Sequence, residues 1–366
     1  MKLKTLVRFP FDIRRARQLL REKPAATHSF PQRGVALVLR TDQMLIDGAR
    51  HLATIAHHTN QIGSPLTLVC DSMLLAGIAH KPHGRSMLMM PGVDYAATTD
   101  GLPADTLVLT DSPQPVGGPR QTIQMQIGRD IDRTIPVMPY PMHPATLRYI
   151  DEQRLAELRD HQRWISVLFA GNQKERYGDS QIRRGFGMLN RLEMLTTITD
   201  NFEPRIVQQI AAAKSPDAIV LSDSRVDPVS ASDWLPAIAS ADFFLCCPGS
   251  SQPTCHHLIE AMSVGTIPII EYGDRVTPPL VDGETAICFS GRTGLIDAVH
   301  QIDEMPKHKI QTMRRNVADF YDAHLCGATF MQGLRDGTTN TDRKQICMPF
   351  HHENLSQPNV EMRRAA

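Results

Sequence analysis

The residues of this chain that are best suited to chemistry form a short turn between an apolar run and a predicted helix. Ala241–Cys247 is the apolar run, and Pro253 stands where a first helical turn tolerates proline, which predicts a helix over Pro253–Val264. A helix that leaves a parallel sheet at this point offers free backbone N–H groups and the positive end of its dipole, which suit a diphosphate. The turn adds small residues and hydroxyl donors, namely Gly249, Ser250, Ser251 and Thr254.

Three polar residues, His256, His257 and Glu260, lie off the apolar stripe of the same predicted helix. A carboxylate at this depth can accept hydrogen bonds from both hydroxyl groups of a ribose, so we predict that Glu260 binds the ribose of a nucleotide. We also predict that at least one of the two histidines contacts the nucleotide. The alternative for all three is a helix surface, where the histidines bond to nearby carbonyl groups.

A metal centre is not expected in this segment. The cluster Cys246-Cys247 and Cys255-His256-His257 lacks C-x2-C spacing, and neighbouring residues of a strand point to opposite faces. The one Asp-x-Asp sequence, Asp130-Ile-Asp132, precedes the predicted hinge between the two halves of the chain. We therefore predict no metal ligands.

The elements that must position the turn alternate between strand and helix, which is the pattern of a parallel sheet covered by helices. The first half predicts strands at 35–39, 65–69, 87–90 and 106–110, with helices from Thr41 or Asp42 to about Thr59 and over Ser72–His80. The second half predicts helices at 151–161, 181–197, 234–239, 253–264 and 295–302, with strands at 164–170, 219–221, 241–247 and 266–270.

A proline-rich stretch, Ile135–Pro144, separates the two halves and predicts a hinge. The fold class is therefore α/β, with two Rossmann-like domains that face each other across a cleft. The predicted domains are 1–145, 146–335 and a C-terminal tail, 336–366, that can cross back to the first domain.

The charge balance and the length of the apolar runs argue against two classes of protein, nucleic-acid binders and membrane-spanning proteins. The 366 residues include 39 basic and 39 acidic side chains, which argues against a nucleic-acid binder, and no apolar run has the length of a membrane span. We expect a cytoplasmic protein. The segment 1–23 departs from this balance, because it is basic and amphipathic. It predicts either a helix packed on the first domain or a peripheral contact with an anionic membrane.

The pattern of residues 246–271 resembles the donor-binding motif of GT-B glycosyltransferases, and it is most similar to the exostosin-like group. The resemblance rests on the Pro-Gly turn, on Glu260-Ala261-Met262 and on Gly265–Ile269. Leu168–Gly171, Ile182-Arg183 and Val281–Phe289 extend it, so that it covers residues 164–302.

The resemblance implies a UDP- or GDP-sugar donor, no cofactor and no metal, with a glycan or glycolipid acceptor and a product such as a polysaccharide. It places Glu260 on the ribose and Ser250, Ser251 and Thr254 along the diphosphate and sugar. Cations near Gly171 would neutralise phosphate as the leaving group departs: Lys174, Arg176 and Arg183. The alternative for these cations is a polar loop and a solvated helix face.

One departure from the family pattern bears on the reaction. Many retaining enzymes carry a second glutamate eight residues before the ribose one, and Gln252 stands there. Its identity favours inversion, which needs a general base from the first domain. The candidates are Asp42, Asp71 and Asp111, each just past a predicted strand, where an aspartate can also cap a helix. A sugar-nucleotide epimerase and a non-catalytic module that binds nucleotide sugars or glycans stay open as other functions.

Overall fold

The computed structural model describes residues 3–25, 30, 32–114, 121–127, 131–179, 181–250 and 252–349. The chain divides into two units, Met1–Pro144 with Gly327–Ala366, and Ala145–Cys326. The return to the first unit begins at Gly327, ahead of the tail that we predicted from residue 336. The reason is apolar burial, because Met331 and Leu334 belong to the core of the first unit.

The strands and helices of the described residues alternate along most of the chain. The strands are β1 (Val35–Val38), β2 (Leu66–Val69), β3 (Val93–Ala96), β4 (Leu107–Thr110), β5 (Thr122–Gln126), β6 (Ile165–Gly171), β7 (Ile206–Val207), β8 (Ile219–Asp223), β9 (Ala241–Leu245), β10 (Ile267–Ile270), β11 (Ile287–Cys288) and β12 (Gln345–Cys347). The helices are α1 (Leu3–Glu22), α2 (Arg50–Gln61), α3 (Ser72–His80), α4 (Pro82–Leu88), α5 (Pro144–Leu147), α6 (Glu152–Arg159), α7 (Gln181–Phe186), α8 (Arg191–Phe202), α9 (Trp234–Ile238), α10 (His256–Ser263), α11 (Gly291–Asp303), α12 (Lys307–Phe320) and α13 (Gly327–Asp336).

The sheet of the first unit has the order β12-β5-β4-β1-β2-β3, and its strands pair in parallel. Successive residues of β1 enter cores on opposite faces of this sheet, since Val35 and Leu37 pack in one cluster and Ala36 and Val38 in another. A strand covered on both faces has to be apolar throughout, which is why the run is continuous.

The sheet of the second unit has the order β11-β10-β9-β6-β8-β7, again parallel. β6 pairs with β9 in the register Val167↔Phe243 and Leu168↔Phe244. Two parallel sheets with helices confirm the predicted α/β class. Because β6 and β9 run side by side in the same direction, the loops that follow them leave the sheet at the same edge.

Two predictions for the first half are wrong. The helix after β1 begins at Arg50 and not near residue 42, because Asp47, Gly48 and Ala49 have left-handed backbone angles that interrupt the turn after Gln43. The strand predicted at 87–90 is the end of α4 and the turn after it. This helix begins at Pro82, a position that suits proline, and buries Met87 on its inner face.

Two helices of the second half also differ from the prediction. The stretch 181–197 holds two helices, α7 and α8, which are separated at Gly187, where φ is +72°. Asn190 then caps α8 in a capping box with Glu193. The helix predicted from Pro253 begins at His256. The loop before it turns back on itself, since Gly249 N–H donates to the carbonyl of Pro253 at 3.3 Å.

The basic N-terminal segment forms α1, and this helix packs against α3 as one of the two predicted alternatives requires. Ala16 is buried in the core of the first unit, with Ile13, Leu19 and Leu20 packed against that core. Among the helices of the described residues, none has both the length and the apolar composition that crossing a membrane would require.

Candidate functional site

The candidate site of the second unit lies at the edge where β6 and β9 end. The loop after β9 carries Gly249, Ser250 and Thr254, of which Ser250 and Thr254 are half-buried. Ser251 lies outside the described residues. A Cβ on Gly249 would come within 2.8 Å of the carbonyl oxygen of Gln252, so only glycine fits this return of the chain. The loop therefore presents backbone amides and hydroxyl groups just before α10.

Glu260 is fully buried, so the alternative of an acid on the helix surface is wrong. Its Oε2 accepts a hydrogen bond from Nε1 of Trp234 at 2.7 Å. Trp234 stands at the start of α9 and is half-buried. Since the Glu260 side chain has no exposed surface, a ribose can reach it only when a neighbouring side chain moves aside. The predicted ribose contact stays a prediction.

The two histidines at the start of α10 are part of an aromatic cluster. His257 is 7% exposed, and its ring lies 5.2 Å from Trp234, 5.8 Å from Phe244 and 4.3 Å from His256, measured between centroids. A Cβ on Gly171 would come within 3.0 Å of Cε1 of His257. Gly171 is thus the residue of β6 that leaves room for His257, and His256 is the more accessible of the two histidines.

The metal-binding atoms of Cys255, His256 and His257 all lie within 4.8 Å of one another. Sγ of Cys255 is 3.7 Å from Nδ1 of His256. This proximity was not expected from the sequence spacing. It arises because Cys255 is the N-cap of α10 and the histidines form its first turn. The geometry of the Asp-x-Asp sequence cannot be compared with that of this group, since Asp130 lies outside the described residues.

The cations predicted to meet phosphate stand in different surroundings. Lys174 is exposed in the loop after β6, and its backbone N–H donates to Oδ1 of Asn172 at 2.9 Å. Arg176 is exposed on the following turn, and its Nη2 donates to the hydroxyl of Tyr177 at 3.0 Å. Arg183 is exposed but forms an ion pair with Glu193.

Glu193 also anchors other groups of this region. It closes the capping box of α8 by accepting from the N–H of Asn190 at 3.0 Å, and it lies 3.6 Å from Nη2 of Arg292. Arg183 therefore takes part in a network that includes one acid, and its charge is offset there. Lys174 and Arg176 have no acid within ion-pair distance among the described residues, so their charges are the more available to a phosphate.

Arg191 is a residue of this site that sequence reasoning missed. It is 3% exposed, its Nη1 donates to the carbonyl of Asn172 at 2.9 Å, and its Nη2 donates to the carbonyl of Pro248 at 3.2 Å. Its guanidinium lies 3.8 Å from the ring centroid of Tyr177. One side chain thus joins the loop after β6 to the loop after β9. The capping box of Asn190 and Glu193, which encloses Arg191, is the sequence signal that predicts a helix start here.

The thiols of Cys246 and Cys247, between β9 and the Pro-Gly turn, and the hydroxyl of Tyr272 are not reactive groups. Burial raises the pKa of the Cys247 thiol to about 12 and that of Cys246 well above its usual range. Burial likewise raises the pKa of the Tyr272 hydroxyl well above its ordinary value. All three stay protonated at neutral pH, so they serve as packing groups and not as nucleophiles.

The three candidate bases lie in the first unit and are held in different ways. Asp111 is 8% exposed, and its carboxylate accepts from the N–H of Arg40 at 2.7 Å and from the N–H and hydroxyl of Thr41 at 3.0 and 2.7 Å. Asp71 is exposed and caps α3 by accepting from the N–H of Leu74 at 2.8 Å. Asp42 is exposed, and its side chain caps no backbone amide.

No family model matches the chain, and no curated protein matches it. Among solved structures, AviGT4, a glycosyltransferase involved in avilamycin A biosynthesis, is similar over 83% of this chain and 98% of its own, with 15% identity and a TM-score of 0.42. A glycosyltransferase from Rickettsia africae is similar over 85% and 100%, with 9% identity and a TM-score of 0.40. HepE from Anabaena, in complex with UDP and glucose, is similar over 83% and 99%, with 10% identity and a TM-score of 0.38.

These likenesses assign no role to any residue of this chain. The second unit itself brings together Gly171, the loop with Gly249, Ser250 and Thr254, the first turn of α10, and Glu260. Lys174 and Arg176 follow on the neighbouring loop, whereas Arg183 belongs to the network around Glu193.

Proposed function

We propose that this chain is a glycosyltransferase that moves a sugar from a UDP- or GDP-sugar to a glycan or glycolipid acceptor. The observation that supports it best is the meeting of two loops, joined by Arg191, at one edge of the second sheet. The loop after β9 brings Gly249, Ser250 and Thr254, whose amides and hydroxyls suit a diphosphate. The loop after β6 brings exposed cations that would stabilise the charge on the departing nucleoside diphosphate.

The nucleoside end of the donor is proposed to meet Glu260. The carboxylate would accept hydrogen bonds from the two ribose hydroxyls once the indole of Trp234 has turned away from it. The two ribose hydroxyls would then take the place of the N–H of Trp234, which lies at 2.7 Å, so the carboxylate stays hydrogen-bonded in the bound state. His256 would be the histidine that contacts the nucleotide, because it is the more accessible one.

For the acceptor, we propose inversion with Asp42 as the general base. The acceptor oxygen forms a bond to the anomeric carbon, the bond from that carbon to the diphosphate breaks, and the nucleoside diphosphate leaves with the electron pair. The proton of the acceptor hydroxyl passes to the carboxylate of Asp42. Asp71 and Asp111 suit this role less well, because backbone amides already occupy their carboxylates.

The remaining features of the proposal follow from the motif around Glu260. Its resemblance to the exostosin-like group favours a polysaccharide or another glycoconjugate as the product, made without a metal or a cofactor. A cytoplasmic location stays a prediction. The proposal that no metal is needed should be tested at Cys255, His256 and His257. A soft cation held by these residues would lie next to the loop after β9, where the diphosphate is proposed to bind.

A turnover experiment tests the proposal against the two other functions. The protein is incubated with UDP- and GDP-sugars, with and without a chelator, and both the released nucleotide and the remaining sugar are measured. A glycosyltransferase releases nucleoside diphosphate slowly when water is the acceptor, by hydrolysis of the donor, and faster when a sugar acceptor is added. An epimerase changes the sugar without release, and a binding module does neither.

Variants make the same assay specific for Asp42. We expect Asp42→Asn to lower acceptor-dependent transfer while nucleotide binding is kept. Asp105→Asn, an exposed acid before β4, is the matched control and should transfer at the rate of the unmodified protein. Equal loss in both variants would reject Asp42 as the base, and absence of any donor turnover would reject the transferase.

A further inference from the structure

The N-terminal helix α1 has two faces of different chemistry. Its inner face packs on the first unit through Ala16, Ile13, Leu19 and Leu20. Asp12 also points inward, since its Oδ2 lies 3.5 Å from Nδ1 of His80 at the end of α3. These contacts fix which side of α1 faces solvent, so the opposite side is a defined surface. We call it the outer face, and its exposed residues are Val7, Arg8, Pro10, Phe11, Arg14, Arg15, Arg17, Gln18, Arg21 and Glu22.

Two large apolar side chains stand on this outer face. Val7 is 67% exposed and Phe11 is 75% exposed. They are four residues apart, so they lie next to each other on the same side of the helix. They form one small apolar patch on a helix face whose other exposed residues are mostly arginines.

Cations surround this apolar pair. Arg8, Arg14, Arg15, Arg17 and Arg21 share the outer face with one acid, Glu22, whose Oε1 accepts from Nε2 of Gln18 at 2.9 Å. The outer face is therefore strongly basic, although the chain as a whole has no net charge. Its partner has to be both negatively charged and able to take up apolar side chains.

We propose that the outer face of α1 binds the surface of a bilayer that contains anionic lipids. Phe11 and Val7 enter the boundary between headgroups and acyl chains, and the arginines contact lipid phosphates. A nucleic acid would satisfy the arginines but would leave Val7 and Phe11 in water, and the bilayer satisfies both. The proposal is independent of the glycosyltransferase proposal, since none of these residues belongs to the candidate donor site.

Vesicle co-sedimentation tests this proposal. The full chain is mixed with vesicles of phosphatidylcholine alone or of phosphatidylcholine with phosphatidylglycerol. We expect sedimentation with the second kind only, weakened by added salt because exposed charges are screened. Phe11→Ser should reduce the partition coefficient about tenfold, which corresponds to partial burial of one such side chain. Arg14→Gln should reduce it about fivefold.

Matched substitutions in the second unit distinguish binding through the outer face of α1 from nonspecific binding to vesicles. Val226→Ser alters a valine of the second unit that is 71% exposed, and Arg184→Gln alters an exposed arginine of α7. Both should bind vesicles like the unmodified protein, and all variants should keep its unfolding temperature. Equal binding to both kinds of vesicle, no binding, or equal losses in the control variants would overturn the proposal, whatever the outcome with nucleotide sugars.

Discussion

Asp111 in the first unit and Glu260 in the second are both buried acids, but different kinds of donor hold them. Asp111 accepts from two backbone amides and a hydroxyl of the loop after β1 at 2.7 to 3.0 Å. Glu260 accepts from the indole of Trp234 at 2.7 Å. A backbone amide leaves only if its loop moves, whereas an indole leaves by rotation of one side chain. A ligand could therefore displace the bond from Trp234 by turning one side chain, whereas the bonds to Asp111 hold a loop in place.

Among single substitutions at neutral pH, the largest effect on stability is expected at Asp111. Asp111→Ala leaves the two amides and the hydroxyl of the loop after β1 without their acceptor, which should lower the free energy of unfolding by about 3 kcal/mol. Urea denaturation measures this change. Glu260→Gln keeps an acceptor for the indole and should cost less than half as much. Equal losses in the two variants would break the distinction between the two acids.

Acid should weaken the first unit through three histidines, and burial with the nearby Arg50 lowers the pKa of one of them, His51, well below its usual range. Burial lowers the pKa of His58 to about 4, and burial with the nearby Arg50 and His83 lowers that of His143 to about 4. The unfolded chain takes up these protons near pH 6.5 and the folded chain only near pH 4. The stability that the neutral histidines provide is therefore complete above pH 6.5 and lost as the pH falls toward 4, by about 3 kcal/mol each for His58 and His143.

Denaturation midpoints between pH 7 and pH 4 test this expectation. His143→Gln removes one of these groups and should flatten the pH dependence, whereas His161→Gln, at an exposed position of the second unit, is the control substitution. An unchanged slope in His143→Gln would show that His143 takes up its proton normally in the folded protein.

The hydrogen bond between Trp234 and Glu260 can be removed while an aromatic side chain is kept at position 234. Trp234→Phe should lower the free energy of unfolding by about 1 to 2 kcal/mol, because the buried carboxylate loses a donor. The same change should raise the affinity for a nucleotide, since no indole has to be turned away. Isothermal titration measures the affinity. A weaker affinity would mean that Trp234 itself holds the ligand.

The smallest effect is expected at Asp71, which sharpens the contrast with Asp111. Both follow strands of the first sheet, but Asp71 is exposed and caps one amide of α3. Asp71→Ala should cost about 1 kcal/mol, the usual contribution of a helix cap. Thermal denaturation is sufficient to see it. A loss as large as that of Asp111→Ala would contradict the ranking by backbone bonds.

Much of the fold was predictable because parallel strands buried on both faces need continuous apolar runs. β1 has this form, and β2, β6 and β9 are mainly apolar runs with one half-buried polar residue each, namely Thr67, Ser166 and Asp242. β5 escaped the same criterion, since in Thr122–Gln126 only Ile123 and Met125 are buried and the other residues are polar. The helix starts were less predictable, because a single residue such as Ala49 in a left-handed conformation decides where α2 begins.

The candidate site was predictable in its residue types and not in its pairings. The Pro-Gly turn and Glu260 are visible as local sequence. Trp234 lies 26 residues from Glu260, and Arg191 lies 57 residues from Pro248. Such contacts depend on which strands become neighbours, and that information is not contained in local spacing.

Thermal unfolding with nucleotides is the most direct test of the proposal that Glu260 belongs to a nucleotide-binding site. UDP, GDP, ADP, TDP and CMP are added in turn, with and without magnesium, to the unmodified protein, to Glu260→Gln and to the exposed control Glu157→Gln. A ligand at 100 times its dissociation constant adds about 2.7 kcal/mol of stability. We expect that UDP or GDP stabilises the unmodified protein and the control, without need of magnesium, and does not stabilise Glu260→Gln. An equal shift in Glu260→Gln, or no shift with any nucleotide, would contradict it.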